Sequence, residues 1–106
     1  MGSDAWGSAE LMTLCGKDCI GQFFSTHYAA AGAQGATKEF IDRYNTKYKY
    51  VPDDVAALTW DATRLVLQAN QEAGKVEKDI KAERKLVRDA LAGIKEFAGI
   101  TGNMKF

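Results

Sequence analysis

Between Val55 and Ala73 the residues Val55, Leu58, Ala62, Leu65, Ala69 and Ala73 recur at 3-4-3-4-4 spacing, with Val66 widening the stripe. This period predicts an amphipathic helix. Alanine at three of these positions predicts close approach of another element. Pro52 suits the entry to a first helical turn, Asp53 and Asp54 sit where the helix dipole favours negative charge, and Gly74 supplies the stop.

Two further helices are predicted. From Thr37 onward, Phe40, Ile41, Tyr44 and Tyr48 fall at helical spacing, with Lys38, Glu39, Asp42 and Arg43 on the other side. A third long helix is expected over about Glu77 to Ala92, with Ile80, Val87 and Leu91 inward and Gly93 as its cap. The stretch Lys75 to Lys85 is charged nearly all round, which predicts projection into solvent. Ser8 to Leu14 reads as a short helix capped by Ser8, with Leu11 and Leu14 on one face and Gly16 as the stop. Ile20 to Tyr28 is aromatic and β-branched, predicting a strand, and the small residues of Ala29 to Ala36 predict a loop. Gly99 to Phe106 reads as a short strand or half of a hairpin. The expected class is therefore α/β and mostly helical, with three long helices and two short β segments. Two strands form a marginal sheet unless helices or another chain complete them.

A chain of 106 residues allows one core, and 46% apolar with 26% charged residues is ordinary for a globular protein. Lys+Arg and Asp+Glu balance at 14 each, so no net field favours nucleic acid or anionic lipid. No apolar run approaches the length of a membrane span. No basic region followed by an apolar one marks a signal peptide, which leaves a cytosolic protein or one whose export signal lies in sequence outside this chain.

Cys15 and Cys19 are too few for a zinc site and wrongly spaced for a thioredoxin-like motif. Two half-buried thiols are the plainer reading of this pair. A disulfide is the alternative in an oxidising compartment, if the segment is not a regular helix. No catalytic set emerges, and neither a metal site nor a cofactor is expected. His27, with Ser25 and Thr26, has no recognisable local signature. Gly32 and Gly35 lack a Walker lysine, and capping accounts for Asp53 and Asp54. A binding role is favoured over an enzyme.

The segments carry more information in order. Gly2-Ser3-Asp4-Ala5-Trp6 precedes Gly21-Gln22-Phe23-Phe24-Ser25-Thr26-His27-Tyr28. After Phe40 to Tyr48 come Pro52-Asp53, Ala56-Ala57-Leu58-Thr59-Trp60-Asp61-Ala62, Val87-Arg88-Asp89-Ala90-Leu91, and Phe97 followed by Gly99-Ile100-Thr101-Gly102. Over essentially the whole chain this series resembles the last third of type I periplasmic solute-binding proteins, which serve ABC importers of branched-chain and other amino acids. Lys75 to Lys85 is the least family-like stretch.

The resemblance implies two α/β lobes closing over a ligand. Residues 1–35 would be the end of a second-lobe segment and the crossover, and residues 36–106 helices and a terminal strand of first-lobe type. It implies that Asp4 binds the ligand's ammonium, that Ala5 and Trp6 form the adjacent wall, and that Val55 is an apolar ligand contact. A turn-capping Asp4 and a core Val55 are the alternatives. The partners implied are a small amino acid and the importer's membrane subunits, in the periplasm, with no nucleic acid. The resemblance also puts the signal peptide, the first lobe's serine and threonine ligands and most of both sheets before Met1. It makes Met1 an added start and breaks a hairpin at Phe106. The isolated chain is then expected to bind amino acids weakly or not at all. A second expectation is an engineered or excised structural module that forms a homodimer or strand-exchanged oligomer. A third is a small helical interaction protein unrelated to transport.

Overall fold

The computed structural model describes residues 1–8, 10–74 and 79–106. Its elements run as a 3-10 turn at Asp4–Trp6, α1 at Glu10–Cys15, a second 3-10 turn at Gly16–Cys19, α2 at Gly35–Tyr48, α3 at Asp54–Ala73, α4 at Ile80–Gly93, β1 at Glu96–Ala98 and β2 at Asn103–Lys105. The class is the expected one, α/β and mostly helical. Two compact units make up the chain, Met1–Leu58 and Thr59–Phe106, with their boundary inside α3.

In the first unit the Glu10 amide donates to the Ser8 hydroxyl (3.2 Å), which caps α1. Gly16 takes φ +51° and breaks the helix into the tighter 3-10 turn. Cys15 and Cys19 then lie with Cα atoms 5.8 Å apart, joined as a disulfide. The plainer reading of two thiols is thus corrected: the tight turn after Gly16 holds the pair at a Cα separation inside the range a bridge requires.

The strand expected over Ile20–Tyr28 does not form a ladder. One parallel bridge joins Gly2 and Phe24, with the Gly2 amide donating to the Phe23 carbonyl (2.7 Å). Ile20 and Phe23 remain 72% and 77% exposed. Aromatic and β-branched residues favour a pleated surface only when a neighbouring strand is present to pack against, and Gly2 is the sole pairing partner of this segment among the described residues.

Helix α2 begins at Gly35, two residues before the expected start, and buries Phe40. It ends at Lys49, whose left-handed φ of 68° lets its amide donate to the Asn45 carbonyl (2.8 Å). That reversal returns Tyr50 to the helix. Its hydroxyl lies 2.9 Å from that of Tyr44, and the Tyr44 ring packs 4.6 Å from Tyr48 and 5.4 Å from Tyr50, centroid to centroid.

The predicted α3 forms, and Leu65 and Ala69 of the apolar stripe lie inward, but toward its start the buried face departs from that stripe. Ala57 and Ala69 are fully buried, Asp54 and Asp61 nearly so, whereas Val55 is 68% exposed and Val66 also lies outside. Stepping from Val55 to Asp54 is a rotation of about 100° on a helix of 3.6 residues per turn. Two carboxylates share the inner positions with these alanines, as described below.

In the second unit Ala69, Ile94 and Phe97 form the core, with Leu65, Val87, Ala90 and Met104 packed against it. Asp79 caps α4 by accepting from the Lys81 amide (2.9 Å). The expected start at Glu77 lies outside the described residues, as do Lys75 to Lys78. Ile80 and Leu91 were expected inward but are exposed. Ile94 after the helix and Phe97 on β1 occupy the core instead. The strands pair antiparallel as Glu96 with Lys105, Phe97 with Met104 and Ala98 with Asn103. The expected half-hairpin at the C-terminal end is therefore joined by a first strand that the sequence reading placed only within a motif.

Asp61 fixes the hairpin turn to α3. One oxygen accepts from the Ile100 amide (2.9 Å), and the other from the Thr101 amide (2.9 Å) and hydroxyl (2.7 Å). A Cβ added at Gly99 would collide with the Asp61 carboxylate, so the turn needs glycine there for close approach.

Candidate functional site

The residues singled out from sequence lie in the first unit. Asp4 opens a 3-10 turn closed by main-chain bonds from Trp6 to Ser3 (3.1 Å) and from Gly7 to Asp4 (3.0 Å). Its carboxylate is therefore left to other partners. It is 53% exposed, and its Oδ2 lies 3.7 Å from Nδ1 of His27. Trp6 is half-buried, with its ring against Gly2, where a Cβ would overlap the indole. Ala5 and Val55 are exposed. The structure thus brings Asp4 to His27 and turns Trp6 inward, while Ala5 and Val55 stay on the surface.

A second carboxylate faces the same histidine. Oδ2 of Asp54 lies 3.8 Å from His27 Nδ1 and accepts from the Thr26 hydroxyl at 3.2 Å. Each histidine contact becomes an ion pair when the imidazole carries its second proton. The Thr26 hydroxyl has a single hydrogen and also lies 2.9 Å from the Tyr28 carbonyl, so Asp54 shares this donor. Asp54 is 5% exposed, and its Oδ1 is buried without a hydrogen-bond partner. The Tyr28 hydroxyl is likewise buried and unpartnered. Burial, and secondarily the nearby Asp53 charge, raises the Tyr28 phenol above its ordinary pKa.

Sequence reading accounted for Asp53 and Asp54 together as capping residues. The structure separates them. Asp53 Oδ1 accepts from the Ala56 amide (2.8 Å) and does the capping. Asp54 starts the helix proper and turns inward. A second acid after a complete cap was the available signal, and it was ambiguous because first-turn acids also serve the dipole.

These side chains border a cavity of about 290 Å³. Trp6, Leu11, Met12, Phe24 and Pro52 give it apolar walls, and Thr26, Tyr28, Asp53 and Asp54 its polar groups. No group of three or more metal-ligating side chains is found among the described residues.

Comparison with known proteins places this geometry in context. The periplasmic binding protein family matches residues 1–106. Among solved structures, the leucine-binding protein LivK from Thermotoga maritima is 27% identical, with a TM-score of 0.81 over 98% of this chain. The match covers 28% of that protein's own chain. No curated protein matches.

Proposed function

Because the chain belongs to the periplasmic binding protein family, we propose that it is the part of a branched-chain amino-acid-binding protein that presents an acid to the ligand's ammonium. The observation that carries this reading is Asp4, an open carboxylate on a turn closed by its own backbone, within a chain matched by the family from end to end. Ala5 and Trp6 would form the wall beside it and Val55 an apolar contact. Residues 1–35 would belong to the second lobe and the crossover, and residues 36–106 to the first lobe. The whole receptor would work in the periplasm and deliver its amino acid to the membrane subunits of an ABC importer. The Cys15–Cys19 disulfide suits that oxidising compartment.

On its own the chain is expected to hold amino acids weakly. An exposed ammonium–carboxylate pair is worth roughly 0–1 kcal/mol, and the groups expected to hold the α-carboxylate belong to the opposing lobe. Calorimetric titration with leucine, isoleucine and valine should show no tight binding. Micromolar affinity in a verified monomer, abolished by Asp4→Asn, would keep the assignment of Asp4 and overturn the expected weakness. The same affinity unaffected by Asp4→Asn would overturn the assignment itself.

A second reading, a structural module that self-associates, is favoured by the exposure of Leu14, Ile20 and Phe23 at 84%, 72% and 77%. Sedimentation of the ligand-free chain separates the two, since a concentration-dependent oligomer supports the module.

A further inference from the structure

His27 stands between two carboxylates of the first unit. Its Nδ1 lies 3.7 Å from Asp4 Oδ2 and 3.8 Å from Asp54 Oδ2. The acids differ in their surroundings, since Asp4 is 53% exposed on its turn and Asp54 only 5% exposed in the first turn of α3. They are the charged groups within ion-pair range of His27 among the described residues. Asp53, the neighbouring acid, is engaged by the Ala56 amide. The loop that carries the histidine is itself pinned. Thr26 Oγ1 accepts from the Tyr28 amide (3.3 Å) and shares its own proton between the Tyr28 carbonyl and Asp54. The backbone on both sides of residue 27 is thereby tied to the start of α3, while the imidazole stays 58% exposed.

A ring nitrogen facing two acceptor-only groups is best occupied by a proton. With its proton on Nδ1, neutral His27 leaves both carboxylates their charge. Uptake of a second proton at Nε2 sets a full cation beside both. We propose that His27 is a built-in competitor for the acid at position 4, its imidazolium taking the counter-charge place on Asp4 that a ligand ammonium needs. The proposal rests on the reading of Asp4 as the ammonium-binding acid, and it makes the receptor hold its amino acid less tightly as pH falls. Asp54 keeps the competition reversible. An imidazolium displaced from Asp4 retains its pair with a buried carboxylate, where water screens less than at Asp4. The proton on His27 and the ammonium at Asp4 oppose each other reciprocally. Exposed pairs are weak, so the effect on affinity is graded, about threefold.

The test follows the Asp4 carboxylate carbon by NMR in the full chain during titration with isobutylammonium chloride at constant ionic strength. Isobutylammonium carries the side chain and amine of valine without the carboxylate, so it needs no group from an opposing lobe. Titrations at about pH 8 and about pH 5 bracket the ordinary imidazole range, and the probe keeps its charge at both. The Asp4 resonance should respond to the probe, with an affinity about threefold lower at the acid pH. In His27→Gln the two affinities should coincide. Equal affinities in the wild-type chain, or a pH difference that persists in His27→Gln, would overturn the competition and leave Asp4 as the ammonium acid. An Asp4 resonance that ignores the probe at both pH values, in the wild type and in His27→Gln, would overturn the amino-acid reading and the proposal with it.

Discussion

Asp61 shows how a single residue can be seen in a sequence and still be misjudged. It enters the sequence reading only as one position of the motif from Ala56 to Ala62, and nothing local says that its three donors come from a turn some forty positions later. Hydrogen bonds to a buried charge are worth more than neutral ones, and removing the acceptor leaves two amides and a hydroxyl seeking partners. Asp61→Ala is therefore expected to destabilise the second unit by about 3 kcal/mol, read from urea denaturation. Gly99→Ala should destabilise as well, by driving a methyl into the carboxylate. The two should combine less than additively, because once the carboxylate is gone the methyl has nothing to displace. Additive losses would mean that the turn and the acid act independently. The contrast between Asp53 and Asp54 has the same origin. Both match a helix start by composition, and only the fold assigns one to capping and the other to the interior.

At the scale of elements, the helices were legible wherever period and punctuation agreed. Pro52 and Gly74 bracket α3 to within two residues, and the aromatic spacing of α2 is realised in Phe40, Tyr44 and Tyr48. Which face of α3 turns inward was legible only in part: Leu65 and Ala69 of the stripe lie inward, but the stripe counted apolar residues alone and the buried face includes two carboxylates. The segment Ile20–Tyr28 failed for a different reason. Strand propensity is a statement about neighbours, and this segment has one bridge. The tyrosine cluster at the end of α2 yields a prediction at this scale. The hydrogen bond to Tyr50, followed by desolvation and nearby charge, pushes the Tyr44 phenol up from 10.0 to about 12. A raised folded-state pKa stabilises below the ordinary value, and that contribution is lost as pH rises from 10.0 to about 12. Titration of tyrosinate absorbance should show one late phenol, and Tyr50→Phe should return it to the ordinary range. A late phenol that persists in Tyr50→Phe would assign the shift to burial instead.

For the molecule as a whole, the order of motifs was more informative than any one of them. The family match spans residues 1–106, and the LivK likeness covers 98% of the chain. The division into units at Leu58 was not legible, because the helical pattern runs through it without a break. Both units leave apolar side chains in solvent, among the described residues Leu14, Ile20 and Phe23 in the first and Leu67, Ile80 and Phe106 in the second. The most exposed of these, Leu14 and Phe23, lie in the first, and the second closes a core of Ala69, Ile94 and Phe97. Local stability follows buried apolar contact, so the first unit should open at the lower denaturant concentration.

The two tryptophans fall one to each unit, Trp6 with its indole against Gly2 and Trp60 on α3 beyond the boundary. The chain therefore carries its own pair of fluorescent reporters. In Trp60→Phe the emission follows the first unit alone, and in Trp6→Phe the second. Two displaced unfolding curves, with Trp6 leading, would mark a protein that melts in stages. Superimposed curves would mean that the shared helix enforces a single cooperative transition.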